Sequence, residues 1–139
     1  MAIAGLTMTA PAAYYVRRGE WDQTALWLWV LSVAYFASSV FYIKLRMASL
    51  YAKRQDTKVR VKWQCIGYHA LLLASLLALA FTRSLPLFAL IAFAPVLIRT
   101  FWSLLNPAEQ LNLKRIGVAE IIYSLVFLFF VTLTFRSVR

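Results

Sequence analysis

Acidic residues are scarce in this sequence: five of its 139 residues are aspartate or glutamate, against fifteen lysines and arginines. No two of the five are spaced as a pair that could hold Mg²⁺ for diphosphate chemistry. A glycine-rich phosphate loop, a nucleophile elbow and an HExxH motif are also absent. These absences predict a protein that is not an enzyme.

Cysteine, glycine and proline are also few. The one cysteine, Cys65, excludes an intrachain disulfide and a CxxC metal or redox motif. Four glycines and four prolines are too few for a low-complexity linker. The composition therefore predicts a single domain over residues 1–139.

Apolar residues make up 63% of the chain, and 16% of all residues are aromatic. A soluble domain of this size could not bury so much apolar surface. Four apolar segments approach the ~20 residues needed to cross the hydrocarbon core. They lie at residues 24–45, 64–82, 85–105 and 116–135. We predict an all-α fold, a polytopic transmembrane helix bundle with four spanning helices, which forms a single integral membrane domain.

A short apolar segment, "MAIAGLTMTAPAAYYV" at residues 1–16, precedes the first span. It lacks the charged n-region of a secretory signal, and Arg17 and Arg18 follow its apolar part. We expect a partial span or a helix that lies along the membrane. A full fifth span is the alternative.

The basic residues indicate the orientation in the membrane. Seven of them lie in the predicted loop 46–62 and directly before it, and Lys114 and Arg115 lie in the predicted loop 106–115. By the positive-inside rule both loops are expected in the cytoplasm, with the C-terminus on the opposite side. Basic runs beside membrane spans usually contact anionic headgroups. We therefore expect membrane lipids as partners and no nucleic acid.

Three ionisable residues fall inside the predicted spans, and the 1.5 Å rise per helical residue gives each a depth. Arg99 lies about 9 Å from the end of the third span, and Glu120 about 7–8 Å from the start of the fourth. His69 lies about 10 Å beyond the basic loop. All three are therefore expected in one layer, on the cytoplasmic side.

Small residues mark the faces on which the spans are expected to pack, because they let helix backbones approach closely. The stripes comprise Ala89, Ala92 and Val96 on the third span, Ala70, Ala74 and Ala78 on the second, and Gly117 and Ser124 on the fourth. Arg99 and Glu120 lie on these faces, so an intramembrane ion pair between them is expected. An unpaired arginine at mid-span would cost about 2.5–3.5 kcal/mol.

Two interpretations of this layer remain open. The pair is either a clamp between helices, with Arg99 also snorkelling to the cytoplasmic headgroups, or part of a pocket in which His69, Arg99 and Lys114 donate to an anionic headgroup. His69 has a third role open to it, as an axial metal ligand to haem or chlorophyll. The sequence requires no cofactor.

Four stretches resemble successive segments of the YwiC-like integral membrane proteins: "APAAYYVRRGEWD", "YFASSVFYIKLRM", "APVLIRTFW" and "LKRIGVAEIIYSLVF". The layout is also distantly similar to polytopic prenyltransferases of the UbiA type. The resemblance corresponds to the later part of a longer family member. The family's His-Glu-His-Gly type motif and the prenyltransferases' Asp-rich motifs have no match here. The resemblance implies a polytopic helical fold and assigns no reaction.

Three functions remain open. The first is a non-catalytic structural or accessory subunit that assembles with other membrane-protein subunits. The second is a lipid- or isoprenoid-binding membrane protein of the YwiC-like type. The third is a pigment- or haem-binding subunit that uses His69.

Overall fold

The computed structural model describes residues 11–20, 23–82, 87–106 and 112–136, and these residues are almost entirely helical. Helix α1 is described over residues 11–18. The helices that follow are α2 (Gln23–Tyr51), α3 (Gln55–Phe81), α4 (Leu87–Leu105) and α5 (Leu113–Arg136). The described part of the chain contains no strand. The prediction of an all-α fold is confirmed.

Within the described residues, four helices are long and apolar enough to cross a membrane, and each overlaps one predicted span; the start of the third predicted span, residues 85–86, lies outside the described residues. The spanning stretches are Gln23–Tyr51, Gln55–Phe81, Phe88–Leu105 and Lys114–Leu133. Each approaches or exceeds the ~20 residues that an apolar helix needs to cross ~30 Å of hydrocarbon. The structure therefore confirms the prediction of a multi-pass membrane protein.

The predicted apolar segment 1–16 lies largely outside the described residues, because the description begins at residue 11. Its described part belongs to α1. This helix ends at Gly19, whose φ of 76° lies in the left-handed region. The Gly19 N–H donates to the Tyr15 carbonyl at 2.7 Å, the single bond of an αL helix terminus, and glycine adopts this backbone conformation without a Cβ clash.

The basic segment 46–62, expected as a loop, is almost entirely helical. α2 continues to Tyr51 and α3 begins at Gln55, which leaves residues 52–54 outside a helix. The expectation of a loop is wrong because hydropathy locates the apolar part of a helix and not the helix end. No glycine or proline occurs in this segment to end the helix sooner. As a result, Arg46 lies on α2.

The other predicted loop, 106–115, is shorter than expected. α5 already begins at Leu113, and residues 107–111 lie outside the described part of the chain. The same holds for the chain end at residues 137–139.

The chain divides into two compact units, residues 1–37 and residues 38–139, and α2 contributes its first half to one and its second half to the other. Within residues 38–139, α4 packs against both α3 and α5. Phe93 and Phe127 meet edge to face across the α4–α5 contact, with ring centroids 5.3 Å apart. The candidate site lies in this second unit.

The small-residue stripes identify the buried face of α4 but not that of α3. Ala89, Ala92 and Val96 are each 1% exposed, as expected. The alanines of the predicted α3 stripe are exposed instead: Ala70, Ala74 and Ala78. α3 buries the opposite set: Cys65, His69, Leu72 and Leu76. The α3 prediction is wrong because a small side chain permits close packing without requiring it.

Candidate functional site

Arg99 and Glu120, which the sequence analysis paired, are brought together by α4 and α5. Arg99 Nη1 donates to Glu120 Oε1 in an ion pair. The two side chains are 9% and 18% exposed. Glu120 Oε2 accepts a second hydrogen bond, from the Ser39 hydroxyl on α2 at 2.8 Å. Both carboxylate oxygens are therefore satisfied, and three helices meet at one carboxylate.

Two tyrosines cover the guanidinium of Arg99. Its Cζ lies 4.0 Å from the Tyr42 ring centroid and 4.9 Å from that of Tyr123. These distances fall within the range of cation–π attraction, which strengthens when the contact is shielded from water. The Arg99 side chain is thus held in place by the tyrosine rings as well as by the carboxylate.

A cavity of about 320 Å³ lies beside this ion pair. It is lined by Tyr42, Arg46, Arg99, Asn112, Arg115, Ile116, Ala119 and Tyr123. Three of these side chains are cationic and none is acidic. Of the three residues predicted to form a headgroup pocket, Arg99 lines the cavity, whereas His69 and Lys114 do not. We call this cavity the arginine pocket.

Several donors of the lining arginines are buried without a hydrogen-bond partner among the described residues. They are Arg46 Nε, Arg99 Nε and Arg99 Nη2. Leaving a buried polar group unsatisfied costs roughly 1–3 kcal/mol, and more for a charged group. The two residues that carry these buried donors, Arg46 and Arg99, also line the cavity.

The first turn of α5 adds a further positive element to the arginine pocket. Asn112 caps this helix, since its Oδ1 accepts the backbone N–H of Arg115 at 3.0 Å. The N-terminus of a helix carries roughly half a positive charge from its aligned peptide dipoles and commonly binds anions. Asn112 and Arg115 both line the cavity. The electrostatics of the pocket therefore favour an anion.

His69 lies in a separate polar cluster that joins α2, α3 and α4. Its Nδ1 is 2.8 Å from the Cys65 carbonyl oxygen, to which it donates, because a carbonyl only accepts. Its Nε2 lies 2.8 Å from the Ser38 hydroxyl and 3.2 Å from the Thr100 hydroxyl. Thr100 directs its proton to the Val96 carbonyl at 2.9 Å. In a neutral ring, Ser38 is therefore the donor to Nε2.

The predicted role of His69 as an axial metal ligand stays a prediction, and the structure shows which groups its two nitrogens contact. Both ring nitrogens of His69 are engaged, and the side chain is buried. A metal at the usual ligand distance of about 2.0–2.1 Å from Nε2 would have to displace Ser38. Within the described ranges, no group of three or more His, Cys, Asp or Glu residues could hold a metal ion. In this structure His69 is a hydrogen-bonded link between helices.

Sequence reasoning missed the contributions of Tyr42, Arg46 and Arg115 to the pocket. Ser39, Tyr42 and Arg46 follow one another at helical spacing of three and four residues, which places them on one face of α2. That spacing was a usable signal. Hydropathy hides it, because the apolar run ends at Leu45 and leaves Arg46 outside the predicted span.

The chain is similar to an uncharacterized protein of Haemophilus influenzae, with 26% identity over 128 residues. The match covers 90% of this chain and 48% of the relative, so the chain spans about half the relative's length. No protein-family model matches the chain, and no solved structure matches it. The resemblance to YwiC-like proteins stays a prediction.

Proposed function

We propose that this chain is a multi-pass membrane protein that binds an anionic lipid headgroup in the arginine pocket. The observation that carries the proposal is the cavity lined by Arg46, Arg99 and Arg115, with buried arginine donors that lack a partner among the described residues. Arginine binds phosphate oxygens through charge-assisted hydrogen bonds, often two at a time.

The position of the pocket along the helices supports a lipid as the source of the anion. Arg46 lies near the end of α2, and Asn112 and Arg115 lie at the start of α5. Both places are at the boundaries of spanning stretches, where headgroups meet a bilayer. The positive-inside rule puts this boundary on the cytoplasmic side as part of the same proposal.

A binding measurement with purified protein in detergent tests the proposal. Phosphatidylglycerol should raise the thermal unfolding midpoint more than phosphatidylcholine does, because binding to the folded state stabilises it. Arg115→Gln should reduce that difference. Lys114→Gln is the matched control, since Lys114 is an exposed neighbouring cation that does not line the pocket.

Two results would contradict the proposal that the arginine pocket binds anionic headgroups. One is an equal effect of the anionic and the zwitterionic lipid. The other is an equal loss in Lys114→Gln and Arg115→Gln, which would indicate attraction by surface charge in general.

Assembly with other membrane subunits is a second proposal, and the outer face of α5 supports it. Six large apolar side chains on the described part of this helix are exposed: Val118, Ile121, Ile122, Leu125, Leu128 and Phe129. Either lipid tails or a partner helix could cover them. Copurification from native membranes tests this proposal, since a partner should remain bound through purification in mild detergent.

A further inference from the structure

We infer that the arginine pocket selects a phosphomonoester, a phosphate joined to its lipid through one ester bond, over a phosphodiester. This inference rests on the proposed binding of an anionic headgroup and specifies its chemistry. Three features of the pocket carry it: the balance of charge, the free donors and the first turn of α5.

The first feature is a charge imbalance of about two. Three arginines line the pocket, and the described residues supply one carboxylate to them, that of Glu120 on Arg99. A phosphate monoester carries about −1.5 to −2 charges near pH 7. A phosphodiester carries a single negative charge. The monoester therefore balances Arg46 and Arg115, whereas the diester leaves one of them uncompensated.

The second feature is the set of free donors. Arg99 uses Nη1 for Glu120, and its Nε and Nη2 have no partner among the described residues. These two nitrogens form one edge of the planar guanidinium, which matches two oxygens of a phosphate. The Tyr42 and Tyr123 rings also lie against this guanidinium, with their centroids 4.0 and 4.9 Å from its Cζ.

The number of oxygens also distinguishes the two ligand classes. A phosphomonoester presents three strong acceptor oxygens, and a phosphodiester presents two that are not esterified. Two oxygens would satisfy the Arg99 edge, and a third would remain for Arg46, whose Nε is buried without a partner among the described residues. One additional charge-assisted hydrogen bond corresponds to about ten-fold in affinity.

The third feature is the start of α5, a helix of 24 residues. Its capped first turn contributes Asn112, Arg115 and Ile116 to the pocket lining. The positive end of the helix dipole interacts more strongly with a dianion than with a monoanion. A volume of about 320 Å³ accommodates the phosphate group while the hydrocarbon chain remains in the bilayer.

Competitive lipid binding tests the inference, with native mass spectrometry of the full chain in detergent as the readout. The probes are phosphatidic acid, phosphatidylglycerol and phosphatidylcholine of identical acyl chains, and inorganic phosphate as a competitor. Phosphatidic acid should bind about ten-fold more tightly than phosphatidylglycerol. Displacement of bound phosphatidic acid by inorganic phosphate would identify free phosphate as a source of the ligand. If inorganic phosphate does not displace it, the lipid is the source.

Variants connect the preference to the pocket. Arg115→Gln removes one of the two uncompensated charges. The affinity of the protein for phosphatidic acid should therefore fall to its affinity for phosphatidylglycerol. Lys114→Gln should keep the full preference. Because both residues are exposed, neither change should prevent folding.

The outcomes separate the inference from the proposal beneath it. Equal binding of phosphatidic acid and phosphatidylglycerol, both above phosphatidylcholine, would overturn the monoester preference and leave headgroup binding intact. Equal binding of all three lipids would overturn both. A preference for phosphatidic acid that persists in Arg115→Gln would show that the selection arises elsewhere.

Discussion

At the scale of single residues, Arg99 combines contacts that each compensate part of its burial. It pairs with Glu120 through Nη1, and the Tyr42 and Tyr123 rings lie against its guanidinium. Its remaining donors have no partner among the described residues. The ion pair uses one nitrogen of the guanidinium, so a clamp between helices and the proposed headgroup pocket are compatible.

The ion pair predicts a specific pattern of stability losses. Arg99→Leu and Glu120→Leu should each lower the free energy of unfolding by about 3–5 kcal/mol, because each leaves a buried charge without its partner. The double variant should lose less than the sum of the two. Unfolding of the purified protein in mixed micelles by SDS titration measures all three values. Additive losses would show that the two residues do not interact.

The His69 cluster makes a second prediction at this scale. Ser38→Ala should lower stability by about 1–2 kcal/mol, since Nε2 loses its donor. Thr100→Val, which keeps the side-chain shape, should lower stability less than Ser38→Ala does. The reason is that the Thr100 hydroxyl donates to the Val96 carbonyl and not to His69. The same SDS titration compares the two variants. A larger loss in Thr100→Val would reverse the assignment of the donor.

At the scale of helices, burial depends on which face a neighbour covers and not on side-chain size. α4 buries Ala89 and Ala92, and α3 exposes a similar row of alanines while it buries Cys65 and His69. Both helices carry small residues at helical spacing, so the difference is not visible in the composition of either stripe. It arises from which neighbouring helices pack on α3.

Matched substitutions on the two helices test this contrast. Ala92→Leu should cost about 1–3 kcal/mol, because Ala92 is 1% exposed and the added atoms have no room. Ala74→Leu should have almost no effect, since Ala74 is exposed on a spanning helix where an apolar side chain is tolerated. Comparable losses in the two variants would contradict the observed facing of α3.

The sequence predicts the position of residues along each helix better than it predicts how the helices pack against one another. Apolar length located all four spans, and the depth calculation correctly brought Arg99 and Glu120 to one level. The depth calculation could not show which of Lys114 and Arg115 faces the cavity, because adjacent residues on a helix point about 100° apart. A pocket formed by three helices depends on their rotations, which a single sequence does not determine.

At the scale of the whole molecule, the helix pattern and the distribution of basic residues predict the orientation. Single cysteines introduced at Lys53 and at Thr82, in a Cys65→Ala background, should be labelled from opposite sides of the membrane. The two positions lie at opposite ends of α3, and both are exposed. A membrane-impermeant maleimide applied to sealed vesicles makes the measurement. Labelling of both positions from one side would contradict the topology.

The contact between Arg99 and Glu120 also constrains biosynthesis. The two residues are separated by 21 positions, so Arg99 leaves the ribosome before the carboxylate that neutralises it. A translocon that released α4 at once would expose a cation to lipid at a cost of about 2.5–3.5 kcal/mol at mid-span. Releasing α4 and α5 together as a hairpin avoids that cost.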